Sequence, residues 1–328
     1  ILPLTSLKLQ YAGSNERVSS GIADLDEMLE GKGYFRGSSV LISGTSGSGK
    51  TTLASSFAEA TCKSGERCLY IGFEESMKQV ERNMKSVGMD LEPWSKKGLL
   101  FHEAWRPTQF GVEMHLLRIH KLIEKVKPSA VILDPVTNLI SSSSDKEVYS
   151  MLMRLMDFLK GAKITAVFVS LTGGGDDFEK TEVGISSLTD TWLLLRDLEL
   201  NGERNRVLYV LKSRGMAHSN QLREFMMSDR GIRLIPAYVG AGKVLTGSTR
   251  IAQEAKERAD ARAREQENQR KQQGMERKRL ELQAQIAAFQ AELAGIEADA
   301  RGNVREGEER EKEVEADRSE MARSRGSS

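Results

Sequence analysis

The chain has 328 residues, enough for one large domain and a further segment. Lys and Arg number 48 against 47 Asp and Glu, a net charge of +1, so no global field argues for nucleic acid or an anionic membrane as the main partner. Cys62 and Cys68 are too few for a disulfide scaffold or a zinc site, and no apolar run approaches the ~20 residues of a membrane span, so a cytoplasmic protein with reduced thiols is expected.

The first residue is Ile1 rather than Met, which points to a processed or partial chain. In chain order the pattern then predicts a strand at 40–43, a helix at 51–64, a strand at 68–73 and helices at 77–87 and 114–126. A strand at 130–134, a helix at 149–159 and strands at 165–170, 192–195 and 206–211 follow. Strands that are apolar on both faces and alternate with helices predict an α/β fold with a mostly parallel sheet covered on both sides. Short turns between the later strands, such as Asn201-Gly202, predict antiparallel additions at one edge.

Composition changes near Gly247, where Gly240, Gly242 and Gly247 offer a hinge and Pro236 is the last proline. Beyond it, Leu282, Ile286, Phe289, Leu293, Ile296 and Ala300 alternate steps of four and three, the seam of a coiled coil. Polar residues occupy the seam on either side, Gln272 and Asn268 before it and charged positions around Val314 and Met321 after it. A solvated single helix is the alternative. Gly302 and Gly307 would each cost about 1 kcal/mol in a helix interior, so the helix is expected to weaken beyond Ala300.

Gly44, Thr45, Ser46, Gly47, Ser48, Gly49, Lys50 and Thr51 complete the P-loop pattern between a strand and a helix. Glycines at that spacing let backbone N–H groups converge on phosphate oxygens, and the helix N-terminus adds partial positive charge. Lys50 is placed to reach the terminal phosphates of ATP and Thr51 to ligate Mg²⁺. Asp134 closes an apolar strand, where a P-loop protein keeps the acid that holds its Mg²⁺; a plain strand-end turn is the alternative. Glu74 and Glu75 follow the strand at 68–73, with Glu74 as candidate general base and Glu75 as its helper, unless they merely favour a helix N-terminus. Lys212 and Arg214 share one face of a strand end and could steady charge on a transferring phosphoryl group, or simply protect an exposed edge. His102, His115, His120 and His218 form no metal-binding pattern, and Trp105 and Trp192 read as core.

With these residues in hand, the chain resembles the second, RecA-like half of the KaiC clock proteins from about residue 2 to about residue 251. The matching stretches are Arg17-Val18-Ser19-Ser20-Gly21, the P-loop, Phe73-Glu74-Glu75-Ser76, Leu188-Thr189-Asp190-Thr191, Lys212-Ser213-Arg214-Gly215 and Arg223-Glu224-Phe225-Met226. The resemblance implies a RecA-like P-loop domain at 15–240, preceded by an inter-domain linker at 1–14, and the composition change and heptad seam assign 241–328 to a hinge and coiled-coil helix. It implies a homohexamer with ATP between neighbours, an autokinase that phosphorylates its own serines, and a first ATPase domain upstream of Leu2-Pro3-Leu4-Thr5. Ser186 and Ser187 stand where the family has its Ser-Thr acceptor pair, with Thr181 nearby; Glu74 falls on the base, and Lys212 and Arg214 on the pair that reaches a neighbour's ATP.

Two departures stand out. Ser187 replaces the usual threonine, and the long helix replaces the tail that binds the activator KaiA, which puts KaiA control in doubt while leaving a KaiB-like partner possible. Six coils from one ring face could instead pair with six from another, giving a dodecamer. Two other classes compete: a RecA-like DNA-dependent ATPase, disfavoured by the acidic Gly173-Gly174-Gly175-Asp176-Asp177 loop, and a scaffold assembled by ATP.

Overall fold

A computed structural model describes residues 13–172, 184–200, 202–240 and 243–325. The expected linker at its residues 1–12, the 173–177 loop, Thr181, Asn201 and Gly242 lie outside the described residues. In chain order the first elements are β1 (Arg17–Val18), α1 (Ala23–Met28), β2 (Tyr34–Phe35), β3 (Ser39–Gly44), α2 (Lys50–Lys63), β4 (Cys68–Gly72) and α3 (Met77–Lys85). Next come α4 (Glu92–Lys96), β5 (Leu100–Ala104), α5 (Val112–Val126), β6 (Ala130–Asp134), α6 (Asp145–Gly161), β7 (Thr165–Leu171) and β8 (Thr191–Leu200). The last are β9 (Glu203–Ser213), β10 (Arg223–Ser228), β11 (Gly231–Pro236), β12 (Tyr238–Gly240), β13 (Lys243–Leu245) and α7 (Gly247–Arg325).

Nine strands form the main sheet in the order β11-β10-β9-β8-β3-β7-β6-β4-β5. From β8 to β5 neighbouring strands are parallel, whereas β9, β10 and β11 add antiparallel at one edge, as the short turns predict. Alternation along each strand builds two cores. Ile42, Tyr70, Ile132, Val169 and Leu195 face α1 and α2, while Leu41, Ile71, Leu133 and Phe168 face α5 and α6. That is the mostly parallel, doubly covered sheet the apolar runs predict, in the RecA-like arrangement the resemblance implies.

Predicted elements differ mainly at their ends. α6 begins four residues before 149, because Ser144 and Glu147 form a capping box ahead of the apolar face. β8 and β9 are longer than the runs at 192–195 and 206–211, because their pairing extends past the apolar core to Leu200↔Glu203. β5, which carries His102 and Glu103 among its apolar residues, has no counterpart among the predicted strands; its pairing with β4 supplies the order that its mixed composition hides.

Contacts divide the chain at Ile251/Ala252 into two units. In the first, the predicted glycine hinge is a small hairpin, with Tyr238↔Leu245 pairing between β12 and β13. The first turn of α7 is held there too. Glu224 Oε1 accepts from the Gly247 N–H at 3.2 Å, Glu203 Oε2 accepts from the Ser248 N–H at 3.1 Å, and Arg250 pairs with Glu224 at 3.3 Å. Carboxylates thus satisfy backbone donors that a helix start leaves open. The second unit is the rest of α7, which continues past Gly302 and Gly307 to Arg325. Ion pair Arg301–Glu297 ends just before Gly302, and Arg305–Glu309 spans Gly307, both at helical spacing.

Candidate functional site

The P-loop leaves the carboxyl end of β3 and turns into α2, where the chain must reverse within a few residues. Gly49 has φ 103°, and a Cβ there would lie 2.6 Å from the Phe225 ring. Both facts require glycine. A Cβ on Gly44 would meet the Leu195 carbonyl at 2.5 Å, so the strand can enter the loop only without a side chain. Lys50 is buried and donates from Nζ to the Thr45 carbonyl at 2.7 Å, and burial lowers its pKa despite the acids Asp134 and Glu74 nearby. The buried Ser48 Oγ has no hydrogen-bond partner among the described residues.

β4 and β6 lie side by side and bring the acids to the same loop. Thr51 donates to Asp134 Oδ2 at 2.8 Å, and Tyr70, buried in β4, donates to the same oxygen at 2.6 Å. Burial holds the Asp134 carboxyl above its usual range, and the Tyr70 and Thr51 hydrogen bonds and the Lys50 charge only partly offset it. A divalent cation against this pair of oxygens would relieve that cost, and a hydroxyl beside a carboxylate is a hard-oxygen donor set suited to Mg²⁺. The residues therefore fit ATP with Mg²⁺: a backbone cradle, a lysine and an oxygen pair meet in one place.

Glu74, Glu75, Lys50, Thr51 and Asp134 line a cavity of about 460 Å³ together with Tyr70, Asn83 and Met227. Glu74 is exposed toward it, whereas Glu75 accepts from Asn83 Nδ2 at 3.3 Å. The two acids also precede Ser76, which caps α3 in a box with Gln79, so the helix-start reading and the cavity reading hold together.

Lys212 and Arg214 do not face this cavity. The register pairs Gly44 with Leu195 at the P-loop end of β8, and Val40 with Thr191 at the other end. Thr191 in turn pairs with Ser213, so Lys212 and Arg214 stand at the end opposite the P-loop. Four residues of strand at ~3.3 Å each set the two rows about 13 Å apart. There Lys212 Nζ donates to the Ser186 carbonyl and Arg214 donates to the Ser187 carbonyl at 2.7 Å, gripping the 3-10 turn Ile185–Ser187. Burial, then the neighbouring Arg214 charge, lowers the Lys212 pKa. Ser187 is exposed and Ser186 half-buried.

Asp190 ties this turn to the sheet. Its carboxylate accepts from Ser39 N–H at 2.9 Å and Oγ at 2.8 Å and pairs with Lys160 at 2.9 Å, and its carbonyl accepts from the Arg214 N–H at 2.8 Å. Asp190 lies in one of the family-matching stretches, yet its anchoring role, like that of Tyr70, depends on strand neighbours that only the sheet order supplies. Asn83 was missed although it lies only eight residues from Glu75, because an asparagine on a helix face carries no signal by itself. Trp192 donates to Ser43 at 2.7 Å, and Trp105 packs against Phe73 and His115, so both are structural as read.

A nine-stranded RecA-like sheet with a phosphate-cradling loop at the carboxyl end of its central strand defines a P-loop ATPase domain. A family model described as ATPase: KaiC matches residues 18–239, and the chain belongs to that family. It is 54% identical over 268 residues to the circadian clock protein KaiC2 of Synechocystis sp., covering 81% of this chain and 47% of that one. The circadian clock oscillator protein KaiC of Parathermosynechococcus lividus is 38% identical over 76% of this chain and 47% of its own. That of Synechococcus elongatus is 36% identical over 78% and 50%. The chain thus spans about half the length of these relatives. No helix among the described residues is long and apolar enough to cross a membrane.

Proposed function

We propose that the chain is an ATP- and Mg²⁺-dependent autokinase that phosphorylates Ser186 or Ser187 of a neighbouring copy within a homohexameric ring, as part of a timing switch. The observation that carries this reading is the placement of the acceptor turn at the opposite end of β8 from the P-loop. A serine there cannot reach a phosphate held by its own loop, whereas a ring of P-loop domains sets one copy's far edge against the next copy's cavity.

ATP supplies the phosphoryl group, and Mg²⁺ neutralises its oxygens. In this assignment the P-loop N–H groups and Lys50 bind the phosphates, and Thr51 and Asp134 hold the metal. Glu74 accepts the proton leaving the attacking serine Oγ, while Glu75, held by Asn83, keeps the acid pair oriented. Lys212 and Arg214 position the acceptor turn through its carbonyls and bring positive charge to the neighbour's phosphates. Each phosphate adds about −1.5 to −2 charge beside that pair, enough to alter packing between subunits. α7 joins copies through its seam, which gives a dodecamer when the partners belong to two rings. A KaiB-like protein is a candidate partner by virtue of the relatives' clock role, and an upstream ATPase domain would complete the length those relatives have.

Mass spectrometry of the peptide spanning residues 181–196 after incubation with labelled ATP tests the assignment. Label on Ser186 or Ser187 should fall at least a hundredfold in Glu74→Gln, as expected for loss of a general base. ATP turnover without label there would leave an ATPase scaffold instead.

A further inference from the structure

Along α7 the seam residues Leu282, Ile286, Phe289, Leu293 and Ile296 are between 49% and 69% exposed on the single chain, so an apolar face of five large side chains has nothing covering it in one copy. With Ile286 and Leu293 at heptad position a and Phe289 and Ile296 at d, the positions one residue before each a flank the seam on one side. That flank is divided by charge. After Glu257 at its start, Arg264, Lys271 and Lys278 occupy it in the first half, and Glu306, Glu313 and Glu320 in the second. Gln285, Glu292 and Asp299 lie between.

We infer that the seam is covered by a second copy of the same helix running antiparallel, in the register that pairs the seam with itself. This rests on the self-pairing proposed above and adds its direction and register. In an antiparallel pair these flanking positions face one another across the seam. Setting Leu282 against Ala300 of the partner subunit, Ile286 against Ile296 of the partner subunit and Phe289 against Leu293 of the partner subunit buries every apolar seam residue. The same register brings Lys278 to Glu306 of the partner subunit, Lys271 to Glu313 of the partner subunit and Arg264 to Glu320 of the partner subunit. Twofold symmetry repeats each pair, and the one like-charge meeting on this flank is Glu292 with its own copy at the dyad. On the opposite flank the like-charge meeting is Arg262 with Arg318 of the partner subunit, far from the apolar stretch.

A parallel, in-register pair buries the same seam but meets different flanks. Lys271 would face Glu276 of the partner subunit and Glu313 would face Arg318 of the partner subunit, both attractive. Glu292 would face Glu297 of the partner subunit and Glu306 would face Glu311 of the partner subunit, both repulsive. Glu257 with Arg262 of the partner subunit and Glu320 with Arg325 of the partner subunit add attraction to the parallel flanks, but a parallel seam sets Glu265, Arg279, Arg310 and Asp317 each against its own copy. The antiparallel seam sets Arg279 against Asn303 of the partner subunit and Gln272 against Arg310 of the partner subunit, and keeps one like-charge layer, Glu265 with Asp317 of the partner subunit, so the seam decides for the antiparallel pair. Within one copy Lys271 pairs with Glu267 at 2.7 Å, with both side chains about two-thirds exposed, an interaction too weak to compete with seam burial.

The test uses the full chain with Leu282→Cys in one preparation, Ala300→Cys in a second, and the two variants co-expressed with different tags in a third. Cys62 and Cys68 are buried and free, so mild oxidation reports the introduced thiols. A disulfide needs Cα atoms within about 7 Å, and antiparallel copies of the Leu282→Cys variant place their two introduced thiols about 27 Å apart. The expected result is a covalent dimer only from the co-expressed pair. Dimers from either variant alone would establish a parallel coil and overturn the inference, as would no dimer in any preparation. An Ile286→Asp, Leu293→Asp variant separates the two levels: a solution mass that fails to fall would refute the pairing itself, whereas a twofold fall with the wrong cross-links would refute only direction and register.

Discussion

Asp190 shows how one half-buried acid can organise a candidate site without touching substrate. Burial alone would raise its pKa, but the Ser39 backbone N–H, the Lys160 ammonium and the Ser39 hydroxyl outweigh it and hold the carboxyl below its usual 3.8. A depressed folded pKa contributes stability that is fully present above the unfolded value and is lost as pH falls through the folded one. Asp190→Asn should therefore cost about 1–3 kcal/mol near neutral pH and reduce the loss of stability below about pH 3.8, measured by urea unfolding across pH. An unchanged acid limb would remove Asp190 from this role. Losing the carboxylate's ion pair with Lys160 loosens the segment whose backbone carbonyl receives the Arg214 N–H, so the same variant should lower phosphate incorporation at Ser186 and Ser187 with little change in ATP affinity. Among residues, the P-loop was the most legible, since its spacing is itself the mechanism. Tyr70 was not, because a tyrosine inside an apolar strand looks like core until β6 brings Asp134 beside it.

At the scale of elements, hydrophobic periodicity located the central strands and their helices well, because burial on both faces leaves long apolar runs. It missed β5, β10 and β11 and the ends of β8 and β9, where pairing rather than apolar content maintains the strand. The glycines of α7 illustrate a related limit. Propensity predicts weakening after Ala300, yet the helix runs on through Gly302 and Gly307, with one ion pair ending beside the first glycine and another bridging the second. Those pairs offset only part of the cost of glycine, so Gly302→Ala should stabilise the helix by about 1 kcal/mol, since a Cβ there meets nothing within 4 Å. Circular dichroism at 222 nm during heating would register a later loss of helix; an earlier loss would mean that Gly302 serves a contact that α7 makes in its assembled form.

For the whole molecule, the arrangement of the sheet matters more than any one residue. Parallel pairing of β3 with β8 sends the P-loop and the Ile185–Ser187 turn to opposite ends, so each copy has the P-loop cavity at one end and the proposed acceptor turn at the other. Sequence could name both sets of residues through resemblance, but only the register separates them in space. The transfer between copies proposed above rests on that separation, and so does the first experiment. A Lys50→Ala chain with intact Ser186 and Ser187 is mixed with a Ser186→Ala, Ser187→Ala chain whose P-loop is intact, in the presence of labelled ATP. Neither chain alone should take up label; in the mixture, label should appear on Ser186 or Ser187 of the Lys50→Ala chain. An unlabelled Lys50→Ala chain in rings that demonstrably contain both would contradict transfer across the interface, and with it the function proposed for this fold.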